Sequence, residues 1–284
     1  MAGTRIDGLV VSASVREQVK KEAQKMASSG VQPCLATVLV GDNSASATYV
    51  KNKQKACAEV GIRTKDHKLP STTTQAELNA LVDTLNKDPE VHGILVQLPL
   101  PPQCNEFETT SRILPQKDVD GLTPHNAGLL AMKKATLKAC TPSGIMELFQ
   151  YYSISLEGKN VVIINRSNLV GKPLIHLLLE KNATVIVAHS KTRNLPDVCK
   201  NADIIITGVG DRTKFTLTPE MIREGAIVID VATSRLDGKL VGDCDYEKII
   251  QKASFASPVP GGVGPMTIAM LLKNTVTAAS YDRN

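Results

Sequence analysis

NVVIINRSNLVGKPLIHLLLEKNATVIVAH, residues 160–189, is the stretch that decides the fold. Residues 160–165 and 184–189 are short apolar runs typical of buried strands, and about 170–181 has the length and apolar spacing of a helix. Strands joined through a helix form right-handed βαβ units with a parallel sheet. The alternation continues with strands at 203–210 and 226–232 and helices at about 194–200 and 218–223. This series predicts a Rossmann-type domain.

The N-terminal half shows a second series of strands and helices. CLATVLVG (34–41) and GILVQLPLP (93–101) read as strands, the second running into a proline loop. Residues 44–60 read as a helix ended by Gly61, and residues 72–87 as an amphipathic helix with a threonine cap. We therefore predict an α/β protein of two domains. The predicted domains are 1–142, completed by a C-terminal helix at 265–284, and a Rossmann-type domain at 143–264.

Composition narrows the class of protein. With 284 residues, 42% hydrophobic and 21% charged, the chain can bury a sizeable core. The net charge of +5 is spread along the chain, which argues against nucleic-acid binding. The six cysteines and five histidines match no metal-binding spacing, so we expect no metal and free thiols. We find no secretory signal and no membrane span, and expect a cytoplasmic protein.

One lysine lies on an apolar helix stripe. At 100° per residue the stripe is less than a third of the circumference wide, whereas Lys51 and Lys55 fall on the opposite side. Tyr49 and Lys53 are four residues apart and can contact the same ligand. Burial lowers the pKa of a lysine, which suits acid–base chemistry, but the ammonium could instead reach water along the helix surface. The stripe consists of Ser46, Tyr49, Lys53, Ala56, Cys57 and Val60.

Two loops could contact a flat ligand. In KDVDGLTPHNAG (117–128), either Asp118 or Asp120 could bind a donor-rich ring or transfer protons, but an Asp-Gly pair is also a common turn. SPVPGGVGPMT (257–267) has three prolines and three glycines, so its bare backbone allows close approach of a ligand. It could equally be a connector between the domains.

The nucleotide loop lacks a GxGxxG fingerprint. RSNLVGKP (166–173) follows the first Rossmann strand and could still present backbone N–H groups to phosphate. The second strand ends in AHSK (188–191), without the acidic residue that usually binds the ribose of NAD. Arg166, Ser190 and Lys191 could bind a 2′-phosphate instead, which favours NADP. A nucleotide-free domain with solvated strand ends is the alternative.

These segments occur together in one family. The sequence resembles the bifunctional methylenetetrahydrofolate dehydrogenase/methenyltetrahydrofolate cyclohydrolase family over essentially its whole length. The matching segments are SxxYVKNKxKA (46–56), GILVQLPLP (93–101), KDVDGLT (117–123), CTPSG (140–144), RSNLVGKP (166–173), AHSKT (188–192), DGKLVGD (237–243) and PVPGGVGPMTIAMLL (258–272).

The resemblance implies a role for each matching residue. Lys53 would be the main cyclohydrolase residue, assisted by Tyr49 and Gln97, and Asp120 would bind the pterin ring. These four form the expected catalytic set. The expected folate contacts are Tyr49, Val50, Lys53, Val96, Gln97, Leu98, Asp120, Pro260, Gly261, Gly262, Val263 and Gly264. The expected NADP contacts are Asn165, Arg166, Ser167, Ser190 and Thr233. Tetrahydrofolate derivatives would be the substrates, and the family is usually a homodimer joined through the cofactor domains.

The chain departs from the family pattern beside the expected cofactor. The family commonly has glycine at the position of Asn165, and Gly-Ile-Asn in place of Ala232-Thr233-Ser234. Three other hypotheses stay open at this point: a dehydrogenase without cyclohydrolase activity, a two-domain NADP enzyme acting on a small hydroxy or keto acid, and a nucleotide sensor without catalysis.

Overall fold

The computed structural model describes residues 2–283, apart from the side chains of residues 44, 45, 282 and 283. Its strands are β1 (Thr4–Arg5), β2 (Cys34–Val40), β3 (Arg63–Leu69), β4 (Gly93–Val96), β5 (Asn160–Ile164), β6 (Thr184–Ala188), β7 (Ile204–Thr207), β8 (Ile227–Asp230), β9 (Ser234–Leu236), β10 (Lys239–Val241) and β11 (Phe255–Ala256). Its α-helices are α1 (Gly8–Ser28), α2 (Ser44–Val60), α3 (Gln75–Lys87), α4 (Glu106–Ser111), α5 (Pro124–Ala131), α6 (Cys140–Tyr151), α7 (Gly171–Glu180), α8 (Leu195–Lys200), α9 (Tyr246–Ile249) and α10 (Val263–Ala279).

The chain forms two compact units. Among the described residues, one contains 2–13 and 141–267, and the other 14–140 and 268–283. The N-terminal segment differs from the predicted boundaries, because β1 pairs in parallel with β11 and so extends the sheet of the first unit. Two residues of strand are too short to give a hydrophobic pattern, so the sequence could not indicate this pairing.

The first unit is built on a six-stranded parallel sheet in the order β1-β11-β8-β7-β5-β6. Its central strands β5 and β7 are almost entirely buried, as expected for a sheet covered on both faces. The apolar runs predicted as strands at 160–165, 184–189, 203–210 and 226–232 form β5, β6, β7 and β8. The α/β fold and the parallel Rossmann-type sheet are thereby confirmed.

The second unit contains a three-stranded parallel sheet in the order β3-β2-β4. Every residue of the central strand β2 is buried. Helix α3 begins at a capping box, in which the Thr74 side chain accepts from the Glu77 N–H and the Glu77 carboxylate accepts from the Thr74 N–H. Its buried residues Leu78, Val82 and Leu85 pack into the same apolar cluster as the sheet.

Strand β3 was not predicted, and its sequence RTKDHKL explains why. It lies at the edge of the sheet with no buried residue, and charged side chains are common on such strands because they discourage further pairing. The helix predicted at 218–223 is also wrong, since only a 3-10 turn, Pro219–Met221, forms there. Within residues 2–283, no helix combines the length and apolar character needed to cross a membrane. Residue 284 of the predicted C-terminal helix lies outside the described residues.

Candidate active site

Helix α2 carries the lysine that the sequence singled out. The Asn43 side chain caps the helix by accepting from the Ser46 N–H at 3.0 Å, and Gly61 ends it with a φ of 81°. Four residues of the stripe are buried and Lys53 is partly buried, whereas Lys51 and Lys55 are exposed. Tyr49 differs from the expectation for a buried stripe, since 49% of its surface is exposed. The buried members are Ser46, Ala56, Cys57 and Val60.

Lys53 contacts Gln97, which directly follows β4. The Lys53 Nζ donates to Gln97 Oε1 at 3.0 Å. The other end of the same amide is already used, because Gln97 Nε2 donates to the Leu98 carbonyl at 2.7 Å. The Gln97 backbone N–H is fixed as well, since it donates to the Val38 carbonyl at 2.8 Å. Gln97 therefore presents its carbonyl oxygen to the ammonium in one defined orientation.

The two carboxylates of the KDVDG loop have different environments. Asp118 is buried and accepts hydrogen bonds from the N–H groups of Leu122 and Thr123 and from Asn126 Nδ2, at 3.1, 2.8 and 2.9 Å. Its oxygens therefore hold the turn that leads into α5. Asp120 is partly buried, and its charge acts on Lys53. The sequence left both carboxylates open to both roles, and the structure gives the turn role to Asp118.

The pKa values of the lysine and the second aspartate move in opposite directions. Burial lowers the pKa of Lys53 below its ordinary value, and the negative charge of Asp120 only partly offsets this effect. Burial likewise raises the pKa of Asp120, against the opposing charge of Lys53. The pair is therefore suited to exchange protons nearer neutral pH than either group would in water.

Two residues of this site had no role in the sequence analysis. The Cys140 thiol donates to the Val119 carbonyl at 3.3 Å, and burial followed by the nearby Asp120 raises the pKa of this thiol well above its ordinary value. Asn274 of α10 is buried, and its Nδ2 donates to the carbonyls of Val119 and Lys138 at 2.8 and 2.9 Å. Asn274 thus ties the segment that contains Asp120 to the segment that leads into Cys140. The only sequence signal was a polar residue inside an apolar helix.

The carboxyl edge of the six-stranded sheet carries the predicted cofactor residues. Ile164 of β5 is paired with Ala188 of β6, so Arg166 and Ser190 each lie two residues beyond this pair, at neighbouring strand ends. Both residues are exposed, as are Ser167 and Thr233. A guanidinium and a hydroxyl at adjacent strand ends form a donor set that fits a phosphate group. Asn165 is different, because its side chain is bound to the backbone of the neighbouring loops.

Two buried aspartates hold the other strand ends of this edge. Asp243 accepts from the Thr207 hydroxyl and from the N–H groups of Val209 and Gly210, at 2.7, 2.6 and 3.0 Å. Asp230 accepts from the N–H groups of Ala232 and Cys244 at 3.0 and 2.8 Å. Asp230 thereby closes the base of the β9–β10 hairpin, and Asp243 ties the end of the hairpin to the end of β7. Neither aspartate was predicted to have a role, because most of their partners lie in separate segments of the sequence.

The glycine-rich loop belongs to the first unit. Gly261 has a φ of 98°, which favours glycine, and its carbonyl accepts from the Gly8 N–H at 2.8 Å. A Cβ on Gly8 would lie 1.7 Å from the Gly262 carbonyl oxygen, so the two backbone segments are in close contact. Pro260 and Gly264 are exposed and Val263 is buried, whereas Val50 and Val96 of the second unit are buried and Leu98 partly buried. Their contacts with folate stay predictions.

A dinucleotide-type sheet and a lysine of lowered pKa in one chain are features of an oxidoreductase that also transfers protons. Two family models cover almost all of the sequence. The "Tetrahydrofolate dehydrogenase/cyclohydrolase, catalytic domain" model matches residues 6–120, and the "Tetrahydrofolate dehydrogenase/cyclohydrolase, NAD(P)-binding domain" model matches residues 139–283. The chain belongs to the tetrahydrofolate dehydrogenase/cyclohydrolase family.

Individual relatives agree with the family models. The "Bifunctional protein FolD" of Nitrosopumilus maritimus is 72% identical over 280 residues, covering 99% of this chain and 98% of the relative. The FolD crystal structure from Campylobacter jejuni is 48% identical with a TM-score of 0.96, covering 99% of this chain and all of that one. The Trypanosoma brucei FolD structure, "complexed with NADP cofactor and inhibitor", is 35% identical with a TM-score of 0.94, covering 100% of this chain and 99% of that one.

Proposed function

We propose that this enzyme oxidises 5,10-methylenetetrahydrofolate to 5,10-methenyltetrahydrofolate with NADP, and hydrolyses the methenyl product to 10-formyltetrahydrofolate. The observation that carries the proposal is the Lys53–Gln97 hydrogen bond of 3.0 Å, with the charge of Asp120 acting on the same lysine. A small hydroxy or keto acid would not require this arrangement, and a dehydrogenase alone would not require the lysine.

The hydride step needs alignment more than proton transfer. Removal of hydride from the methylene carbon leaves a cation shared by N5 and N10, so no side chain has to accept a proton. The nicotinamide supplies the hydride acceptor when the cofactor is bound. The residues of this chain proposed to hold the cofactor are Arg166, Ser167, Ser190 and Thr233, and Asn165 is proposed to lie beside the pyrophosphate of the cofactor.

The hydrolysis step requires protons to move. Water adds to the methenyl carbon and loses a proton to a base. The bond from that carbon to N5 then breaks, N5 takes a proton, and the formyl group stays on N10. Lys53, whose pKa is lowered by burial, is the proposed base, and the Gln97 carbonyl fixes the direction of its Nζ. Tyr49, one turn earlier and half-exposed, is proposed to border the pterin, and Asp120 to bind its N–H donors. The remaining proposed folate contacts are Val50, Val96, Leu98, Pro260, Gly261, Gly262, Val263 and Gly264.

NADP is proposed as the cofactor because of the residues that follow β5 and β6. Arg166 and Ser190 offer a cation and a hydroxyl at adjacent positions, and the segment after β6 has no acidic residue to bind an unphosphorylated ribose. The Trypanosoma brucei relative with NADP supports the same choice.

An absorbance assay of both reactions tests the proposal. The purified enzyme is mixed with methylenetetrahydrofolate and either NADP or NAD, and the absorbance of the methenyl product is measured after an acid quench. Added methenyltetrahydrofolate is followed separately as its absorbance decays. We expect turnover with NADP and enzyme-accelerated decay. Absence of both activities would overturn the proposal. Decay of methenyltetrahydrofolate without turnover on either nucleotide would mean that the enzyme is a cyclohydrolase only.

A homodimer through the cofactor domains is proposed with it. Strand β6 is at one edge of the sheet, and Ile186 on this strand is 42% exposed. An apolar edge strand favours pairing with another strand. Ile186→Lys should shift the sedimentation coefficient from dimer to monomer, while Lys181→Ala, an exposed residue before the strand, should not. A monomeric wild-type chain would refute this assembly.

The cytoplasm is the proposed location. All six cysteines are free thiols buried within the described residues, as expected in a reducing compartment. Fractionation of the source cells with an antibody against the chain tests this location. Recovery with the membrane or secreted fraction would contradict it.

A further inference from the structure

The sheet of the first unit has a topological switch between β5 and β7. The chain passes from β5 to β6 on one side, and then to β7, β8 and β11 on the other. In open parallel sheets, the crevice beyond the carboxyl ends of the strands at such a switch is where dinucleotides bind. The residues that leave β5 and β7 therefore decide how closely the backbone approaches the cofactor.

Asn165 lies across this switch. It directly follows β5, and its Nδ2 donates to the carbonyl of Gly208, which directly follows β7, at 2.5 Å. Its Oδ1 accepts from the N–H of Ser167 at 2.8 Å and from the N–H of Gly171, the first residue of α7, at 3.1 Å. Both ends of the amide are thus engaged with the two loops that border the crevice.

The Asn165 Oδ1 accepts from backbone N–H groups that an anion would otherwise use. Backbone N–H groups of the loop after the first strand and of the following helix start are the usual donors to a pyrophosphate. Here two of them, from Ser167 and Gly171, already donate to Asn165. The helix start also packs tightly against Asn165, since a Cβ on Gly171 would lie 2.3 Å from the Asn165 backbone carbonyl oxygen and 2.7 Å from Asn165 Oδ1. A pyrophosphate must displace this side chain or bind further from the helix.

We propose that Asn165 is an internal competitor for the pyrophosphate and limits the affinity of this enzyme for its dinucleotide. This inference rests on the proposed cofactor site. Cofactor binding either breaks the hydrogen bonds of Asn165 or leaves the pyrophosphate too far from the helix to accept from the same N–H groups. In both cases the binding free energy is less favourable. Because NAD and NADP share the pyrophosphate, the restraint weakens both by the same factor. Discrimination between them rests on the separate strand end with Ser190.

Equilibrium binding without folate isolates this effect. The heat of binding of NADP, and separately of NAD, is measured by titration calorimetry on the full-length wild-type, Asn165→Gly and Asn165→Ala enzymes. The alanine variant removes the amide without adding the backbone freedom of glycine. Asn182→Gly is the matched control, because Asn182 has a φ of 61° that glycine tolerates. It precedes β6, so it lies at the amino ends of the strands, away from the carboxyl ends where the cofactor is proposed to bind. Decay of methenyltetrahydrofolate, which needs no nicotinamide, reports folding of each variant.

We expect both Asn165 variants to bind NADP and NAD about tenfold more tightly than wild type, a factor of the size of one hydrogen bond. The control should bind as wild type does. Unchanged or weaker binding in a variant that still hydrolyses methenyltetrahydrofolate would overturn the inference and assign Asn165 to support of the loop. Tighter binding of only one cofactor would also overturn it. Failure of wild type and both variants to bind either cofactor would instead refute the proposed cofactor site, and the inference with it.

Discussion

Lys53 Nζ donates to Gln97 Oε1 over 3.0 Å, across 44 positions of sequence. Helix α2 supplies the lysine and the end of β4 supplies the glutamine, whose other amide end is fixed on the Leu98 carbonyl. The lysine is thus held in one direction while burial lowers its pKa.

Replacing the lysine should separate the two activities. Lys53→Ala should reduce cyclohydrolase activity by at least about 100-fold, the usual contribution of a positioned acid–base group, and leave part of the dehydrogenase activity. The decay of methenyltetrahydrofolate and the NADP-dependent formation of methenyl product measure the two. Lys55→Ala is the matched control, since Lys55 is exposed on the opposite side of α2. Equal loss of both activities in a folded variant would mean that Lys53 mainly positions folate.

The pH dependence of hydrolysis should follow the pKa of Lys53. The rate rises with pH as the amine loses its proton, and burial brings this limb below the ordinary value of 10.5. Gln97→Glu places a carboxylate against the ammonium, raises the pKa of Lys53 and moves the limb to higher pH. Asp120→Asn removes the charge that favours the ammonium and moves the limb to lower pH. Rate profiles between pH 5 and 10 test both, and shifts in the same direction would exclude Lys53 as the titrating group.

The two aspartates of one loop should differ in their effect on stability. Asp118→Ala leaves two buried donors and one partly buried donor without their acceptor, so we expect the free energy of unfolding to fall by about 2–4 kcal/mol. Asp120 has a raised pKa, so its contribution to stability is present at low pH and is lost as pH rises from 3.8 through the raised value. Asp120→Asn should therefore unfold at neutral pH with the same or a higher free energy. Urea denaturation, monitored by circular dichroism, measures the free energy of unfolding of both variants. A larger loss of stability in Asp120→Asn than in Asp118→Ala would contradict the structural role of Asp118.

Removing one hydroxyl should change the choice of cofactor. Ser190→Ala should weaken NADP binding by roughly 10-fold or more, because a hydrogen bond to a charged phosphate is lost, and leave NAD binding unaltered. Ser155→Ala is the control, since Ser155 is exposed and precedes β5, at the amino ends of the strands. Calorimetric titration with each nucleotide measures the ratio. Equal weakening of NAD and NADP would remove Ser190 from the 2′-phosphate site.

Local patterns in the sequence were sufficient for the main elements and for one catalytic candidate. Strands β5 to β8 are short apolar runs, and α2 has an apolar stripe on which Lys53 lies, so neighbouring residues alone reveal them. The absence of an acidic residue after β6 is also a local feature. The family resemblance added roles for residues such as Gln97 and Asp120, which no periodicity could supply.

Tertiary structure alone decided how the polar groups are paired. Asp118 and Asp120 are alike in sequence, and only the position of the N–H groups at 122 and 123 and of Asn126 makes the first a structural residue. Asn274 meets Val119 across 155 positions of sequence, and Asn165 meets Gly208 across 43. A hydrogen bond depends on distance and direction between atoms that chain folding brings together. A hydrophobic period records which face is buried, but not which donor meets which acceptor.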